Sequence, residues 1–252
     1  MKHVPLVVGT RDTPQYRSYV ETLHYGSIVV TNGHGKVCGS VGDVSTTTPA
    51  RSTVKAFQLL PLLLSGQQNL ALTDLALMMS SHSGEEKHID GLKKLLKINN
   101  LKPSMLQCGI HTPISEPARN QLIQQGHQPN VLHCNCSGKH IGMLITCQRR
   151  NWDLPTYMKL DHPLQKQIRM IIETMANCHA TLPHVIDGCG LPTFVISLKQ
   201  LCKLFSCFCL PNKKNHLDGI DVSPQLSLLR KAATQHADFI AGDGRLDTEL
   251  MW

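Results

Sequence analysis

The stretch Arg51-Ser52-Thr53-Val54-Lys55 places a hydroxyl and an amine three residues apart. In a helix such residues share a face, so Ser52 Oγ and Lys55 Nζ could meet. A serine hydroxyl is a poor nucleophile until a base removes its proton. A lysine with an ordinary pKa of about 10.4 is protonated at neutral pH and cannot be that base. Burial or a neighbouring cation must first lower it. A drop of about 3 units corresponds to roughly 4 kcal/mol, which calls for a buried site. The apolar run Leu59-Leu60-Pro61-Leu62-Leu63-Leu64 follows at once and supplies one, with Ser52 at the first turn of a buried helix. An ordinary N-terminal turn with an exposed lysine uses the same residue types. Spacing alone leaves both readings open.

A second dense stretch is His133-Cys134-Asn135-Cys136-Ser137-Gly138-Lys139-His140. Thiolate and imidazole are good zinc ligands, so a metal site is one reading. The spacing is not the standard C-x-x-C pair, and a lone C-x-C also suits a redox or purely structural role. Two further stretches carry reactive groups in tight turns. Ser80-Ser81-His82-Ser83-Gly84-Glu85 sets small polar residues against a helix end, which suits either a loop whose backbone approaches something closely or a plain capped turn. Ile186-Asp187-Gly188-Cys189-Gly190-Leu191-Pro192 holds one acid and one cysteine, and the flanking glycines let the backbone bring Cys189 close to a partner.

The elements that must position these groups are readable in outline. Residues 16–41 read as strands. Within them, Ser27-Ile28-Val29-Val30-Thr31 and Lys36-Val37-Cys38-Gly39-Ser40-Val41 flank Asn32-Gly33, a strong hairpin signal. A loop from Asp43 to Pro49 leads into the Ser52 helix, which Gly66 stops. Helices are expected after Thr73-Asp74, over residues 86–98 with Ile89, Leu92, Leu95 and Leu96 on one face, and from Glu116 to Gln125. Asp161-His162-Pro163 caps another, with Ile168, Ile171, Ile172 and Met175 inward. Helical pattern resumes at Ser197 to Phe208 and at Pro224 to His236, with Cys202, Cys207 and Cys209 expected in core packing.

The chain has 252 residues, 41% of them hydrophobic and 17% charged, enough to build a core and too apolar for disorder. Aromatics at 4% argue against stacking platforms for nucleic acid. The net charge of +7 is spread along the chain, and pairs such as Arg149-Arg150 and Lys213-Lys214 do not make a stripe. No nucleic-acid role and no membrane role is expected. The N-terminus has no signal-peptide core, and no apolar run has the length of a membrane span. The ten cysteines are irregularly spaced, which favours reduced thiols in the cytoplasm over a disulfide framework.

Taken in order, Arg51-Ser52-x-x-Lys55, Ser81-His82-Ser83-Gly84-Glu85, Asn135-Cys136-Ser137-Gly138-Lys139-His140, Asp187-Gly188-Cys189-Gly190 and Gly242-x-Gly244-Arg245-x-Asp247 resemble the Rhizobium-type L-asparaginases, the bacterial asparaginase II family. The likeness runs from about Arg17 to Trp252 and includes plain stretches such as Leu106-Gln107-Cys108-Gly109. Ordered motifs at compatible distances are far more specific than any one alone.

The resemblance implies one α/β (α+β) domain over residues 1–252, of the serine β-lactamase and glutaminase type, with a helical part beside an antiparallel sheet. It implies hydrolysis of L-asparagine to L-aspartate and ammonia, by a homodimer. Ser52 would be the nucleophile, Lys55 its general base, and Ser81 part of a second Ser–Lys pair. Cys136, Lys139 and Cys189 would hold zinc, whose charge would also depress the pKa of Lys55. Asp187 would bind the substrate α-amino group and Arg51 a carboxylate. Cys134 departs from the family, which usually has asparagine there. Family members also continue past Arg245-Leu246-Asp247 into a segment with the lysine partner of Ser81 and closing strands. The expectation is therefore a C-terminally truncated member with an incomplete sheet, an exposed edge on the N-terminal hairpin and impaired catalysis. Two alternatives stand beside it. One is an inactive metal-binding remnant. The other is a Ser-x-x-Lys acyltransferase, disfavoured because Ser-Asp-Asn and Lys-Thr-Gly are both missing from the sequence.

Overall fold

The computed structural model describes residues 4–15, 18–66, 70–210 and 215–251. The pair Lys213-Lys214, the Tyr16-Arg17 start of the expected strand region and Trp252 lie outside them.

In chain order the strands are β1 (Val4–Arg11), β2 (Tyr19–Gly26), β3 (Ile28–Thr31), β4 (Val37–Val41), β5 (Thr47–Pro49), β6 (His184–Ile186), β7 (Pro192–Ser197), β8 (His216–Leu217) and β9 (Ile220–Asp221). The helices are α1 (Lys55–Leu63), α2 (Leu72–Met78), α3 (Glu86–Ile98), α4 (Glu116–Gln124), α5 (Ser137–Arg150), α6 (Pro163–Met175), α7 (Leu198–Cys209), α8 (Ser223–Gln235), α9 (Ala237–Ile240) and α10 (Leu246–Met251).

The apolar run after Ser52 explains the centre of the molecule. Phe57, Leu59, Leu60 and Leu62 of α1 are buried on every side, as an all-round apolar helix must be. Its neighbours are α5, α6 and α8. One cluster of buried side chains joins these helices to α2, α3, α7 and β7. The amphipathic stripes expected for α3 and α6 face this cluster, through Leu92, Leu95 and Leu96 and through Ile168, Ile171, Ile172 and Met175. His162 caps α6, its Nδ1 accepting the Leu164 N–H at 3.1 Å. By contrast α4 buries none of its residues.

The chain is a mixed α/β fold, but its strands do not make one sheet. Among the described residues they form small antiparallel groups, β1–β2, β3–β4, β5–β7–β6 and β8–β9. The Asn-Gly hairpin stands as expected between β3 and β4, where Asn32 Oδ1 accepts the N–H groups of His34 and Lys36 at 3.0 Å each. The loop expected over Asp43 to Pro49 is instead partly a strand. Its Thr47–Pro49 end pairs with β7 in the register Thr47↔Ser197, Thr48↔Ile196 and Pro49↔Val195. That partner is far away in sequence, and a short threonine run carries no apolar alternation to announce it. Among the described residues the β1–β2 ribbon pairs only with itself, and it exposes Val7, Val8, Tyr19, Val20, Leu23 and Tyr25.

The expected core role of three cysteines holds for Cys207 alone. Cys202 is half-buried and Cys209, the last residue of α7, is exposed. All ten cysteines are free thiols. No helix among the described residues is long and apolar enough to cross a membrane.

Candidate active site

Ser52 sits in a short 3-10 turn, Arg51–Val54, that links β5 to α1. The turn hangs from β7, where Ala50 N–H donates to the Phe194 carbonyl and Arg51 N–H to Thr193 Oγ1, both at 2.9 Å. Arg51 itself adopts a left-handed backbone with φ of 47°, an uncommon state for a residue with a side chain. This bend presents Ser52 at the surface while Lys55, one turn on, points inward and is only 2% exposed. The reading of Lys55 as a solvent-facing lysine is therefore overturned.

Burial pushes the Lys55 pKa down. The Cys136 sulfur opposes this shift, and the charge of Lys139 adds to it. The Lys55 amine donates to the Ser80 carbonyl at 2.5 Å. Among the described residues no hydrogen bond joins Ser52 directly to Lys55. Ser52 Oγ instead lies 3.5 Å from Ser81 Oγ, the residue after the carbonyl that holds Lys55.

Ser81 is anchored by its backbone N–H, which donates to the Ile240 carbonyl at 2.8 Å. Its neighbours in the loop tie the same region to the C-terminal motif. Ser83 Oγ donates to the Ala241 carbonyl at 2.7 Å and accepts from Arg245 Nη1 at 3.1 Å. A side chain at Gly242 would collide with Ser83 and Glu85, so the close approach requires glycine there, at φ of 132°. His82 is fully buried and its pKa is held well below the usual imidazole range, by burial first and then by the charge of His88. Its Nδ1 accepts the Gly84 N–H at 3.1 Å, so Nε2 carries the proton and donates to Ser137 Oγ at 2.9 Å.

Asp187 occupies the turn between β6 and β7, where its Oδ1 accepts the Gly188 N–H at 2.8 Å. Arg51 Nε donates to the same oxygen at 3.1 Å. The expected acid and base of substrate binding are thus brought together, the Asp187 side chain 10% exposed and that of Arg51 68%.

The expected metal ligands also converge. Gly138 lets the first turn of α5 pack directly on α2, since a Cβ there would stand 2.1 Å from the Leu77 carbonyl oxygen. This places Cys136 and Lys139 in the interior, 5% and 4% exposed. Lys139 Nζ donates to Cys189 Sγ at 3.2 Å. Hydrogen bonds from the Cys134 and Cys189 thiols pull the Cys136 pKa down, aided by the charges of Lys55 and Lys139. Cys189 is pushed up as the donor of such a bond and by burial. Burial works to lower Lys139, but the Cys136 and Cys189 sulfurs outweigh it and raise its pKa. Among the described residues no group of three or more His, Cys, Asp or Glu has metal-holding geometry. The expected set has only two such residues, Cys136 and Cys189, with the Lys139 amine as third donor. Two soft sulfurs and a nitrogen fit zinc by donor type, provided that the amine loses its proton.

Two residues at the site were not assigned from sequence. Asn135 Nδ2 stands 2.9 Å from Ser81 Oγ, and His111 Nε2 stands 3.1 Å from the Asn135 backbone N and 3.1 Å from its Oδ1. Asn135 lay inside a motif, which is a signal of sorts. His111 lies in a Thr- and Pro-containing loop with no pattern of its own, and only the fold brings it here.

The family model described as L-asparaginase II matches residues 15–252 of the chain. No curated protein matches it significantly.

Proposed function

The chain belongs to the L-asparaginase II family, and on that premise we propose that it hydrolyses L-asparagine to L-aspartate and ammonia through Ser52. The observation that carries this reading is the approach of Ser52 Oγ to Ser81 Oγ, 3.5 Å, beside a lysine only 2% exposed. Desolvation favours the neutral amine, and a neutral amine is a base.

In this reading Ser52 Oγ attacks the side-chain amide carbon of the substrate. Its proton passes to Lys55. The amide nitrogen takes that proton and leaves as ammonia, and water then hydrolyses the acyl-enzyme. Asp187 binds the α-ammonium and Arg51 the α-carboxylate of a free amino acid. Cys136, Lys139 and Cys189 would hold the zinc ion. Bound zinc would add positive charge near Lys55 and so favour its neutral form. The same reading takes the fold to be a single serine β-lactamase-like domain over the whole chain. It takes the enzyme to be a homodimer acting in the cytoplasm, where the ten cysteines remain thiols.

The test is ammonia release from L-asparagine by the purified chain beside Ser52→Ala. Release by the wild type that vanishes in the variant supports the reading. Release that persists in Ser52→Ala, or none from a folded wild type, overturns it. The second result would leave a metal-binding relative without the reaction.

A further inference from the structure

Resting on the reading of Ser52 as nucleophile, we propose that His111 is a positioning residue for that reaction. Through the Asn135 carboxamide it sets which way the Ser81 hydroxyl faces Ser52.

His111 Nδ1 lies 2.9 Å from the Thr112 carbonyl oxygen. A carbonyl only accepts, so Nδ1 keeps its proton whether the ring is neutral or charged. Nε2 is therefore the atom that changes. It carries a lone pair in the neutral ring and an N–H in the cation. It meets both the backbone N and the side-chain Oδ1 of Asn135, each at 3.1 Å.

A neutral ring accepts the Asn135 backbone N–H, and its lone pair then opposes Oδ1. A half-turn of the carboxamide removes the conflict by presenting Nδ2 to the ring and Oδ1 to Ser81. Ser81 then donates to Oδ1 and keeps its lone pairs for the proton of Ser52. A charged ring reverses the choice. Nε2–H donates to Oδ1, Nδ2 donates to Ser81 Oγ at 2.9 Å, and the Ser81 proton turns toward Ser52, 3.5 Å away. A proton donated into Ser52 Oγ occupies the electron pair that must attack. The neutral ring is the competent state.

The charge of His111 couples to His82, from the loop after α2, and to His133, from the turn before α5. Burial pushes both down, His82 the further. Lys55, in α1, governs Ser52 separately, so its effect on the rate persists when His111 is replaced.

The test uses phenylmethanesulfonyl fluoride as the probe. Ser52 Oγ displaces fluoride from its sulfur and the serine proton passes to solvent, so labelling follows by intact mass and peptide mapping without any substrate. Wild-type labelling is expected to be faster at about pH 8 than at about pH 5. His111→Gln keeps an acceptor near the Nε2 position that does not titrate. It should hold the wild-type rate at pH 8 within about twofold and lose that rise. His111→Ala should label about tenfold more slowly at pH 8. Thermal melts of each variant report its fold. Variants that keep the wild-type rate and profile overturn the proposal. So do variants that lose rate with an unchanged profile, since that is a merely structural effect. A wild type that never labels at Ser52 overturns the nucleophile reading, and the role of His111 with it.

Discussion

Arg51, the residue before Ser52, pairs with Asp187, its Nε 3.1 Å from Oδ1. Residues 136 positions apart in the chain are joined because β5 and the β6–β7 turn belong to one small sheet. A free amino acid carries the same two charges in reverse, so it can replace both halves of the pair at once.

That arrangement separates binding from stability. The Arg51 side chain is 68% exposed, and an exposed ion pair contributes about 1 kcal/mol or less. Arg51→Ala should therefore leave the thermal midpoint nearly unchanged. Asp187→Asn should raise KM for L-asparagine about tenfold or more while kcat falls less, because the α-ammonium loses its counter-charge. Initial rates over substrate concentration check this, and a change confined to kcat would contradict it.

Gly138 is expected to be intolerant of substitution. The Cβ of alanine would meet the Leu77 carbonyl oxygen at 2.1 Å, and backbone cannot step aside as a flexible side chain can. Gly138→Ala should cost about 1–3 kcal/mol through overpacking and push α5 away from α2. Cys136 and Lys139 ride on that turn, so the thiols should also become more reactive. Thermal melts and the rate of thiol alkylation measure the two effects together.

Much of this site was legible because local pattern and local chemistry agreed. The apolar run after Lys55 offered a buried lysine as one of two readings, and Lys55 is 2% exposed. Asn32-Gly33 announced a hairpin, and β3 pairs with β4. What stayed hidden depends on contacts between distant segments. Thr47–Pro49 becomes a strand only because β7 lies beside it. Lys139 meets Cys189 at a separation of 50 residues, which spacing within either motif does not encode and only the ordered set of motifs suggested. His111 reaches Asn135 across 24 residues from a loop without periodicity. Cys209 falls on the wrong side of α7 for the core, because an apolar residue at a helix end is not bound to its stripe.

The convergence of Cys136, Lys139 and Cys189 predicts metal uptake that depends on pH in one direction. All three donors must be deprotonated to bind, so affinity should fall as pH falls. Dialysis against zinc at neutral pH should leave about one equivalent per chain. Cys189→Ala should lose most of it, and Lys139→Met should weaken it while keeping both sulfurs. Metal analysis of the dialysed proteins decides this. Equal zinc in wild type and Cys189→Ala would place the ion elsewhere.

Lys55 makes a prediction about stability as well as chemistry. Burial lowers its pKa from the usual 10.5. Between that lowered value and 10.5 the unfolded chain binds a proton that the folded chain does not, so this residue opposes folding there. Its opposition is absent above pH 10.5, grows as pH falls toward the folded pKa, and is constant below it. Lys55→Met keeps the buried stem and removes the titrating amine. The variant should therefore gain stability relative to wild type at pH 7, and the gain should shrink as pH approaches 10.5. Ser52 would lose its base, so hydrolysis should drop about a hundredfold or more. Denaturant unfolding of both proteins at pH 7 and pH 10 checks the sign. A difference that stays flat with pH would mean that the Lys55 amine is charged in the folded protein over that whole range, and would remove it as the base.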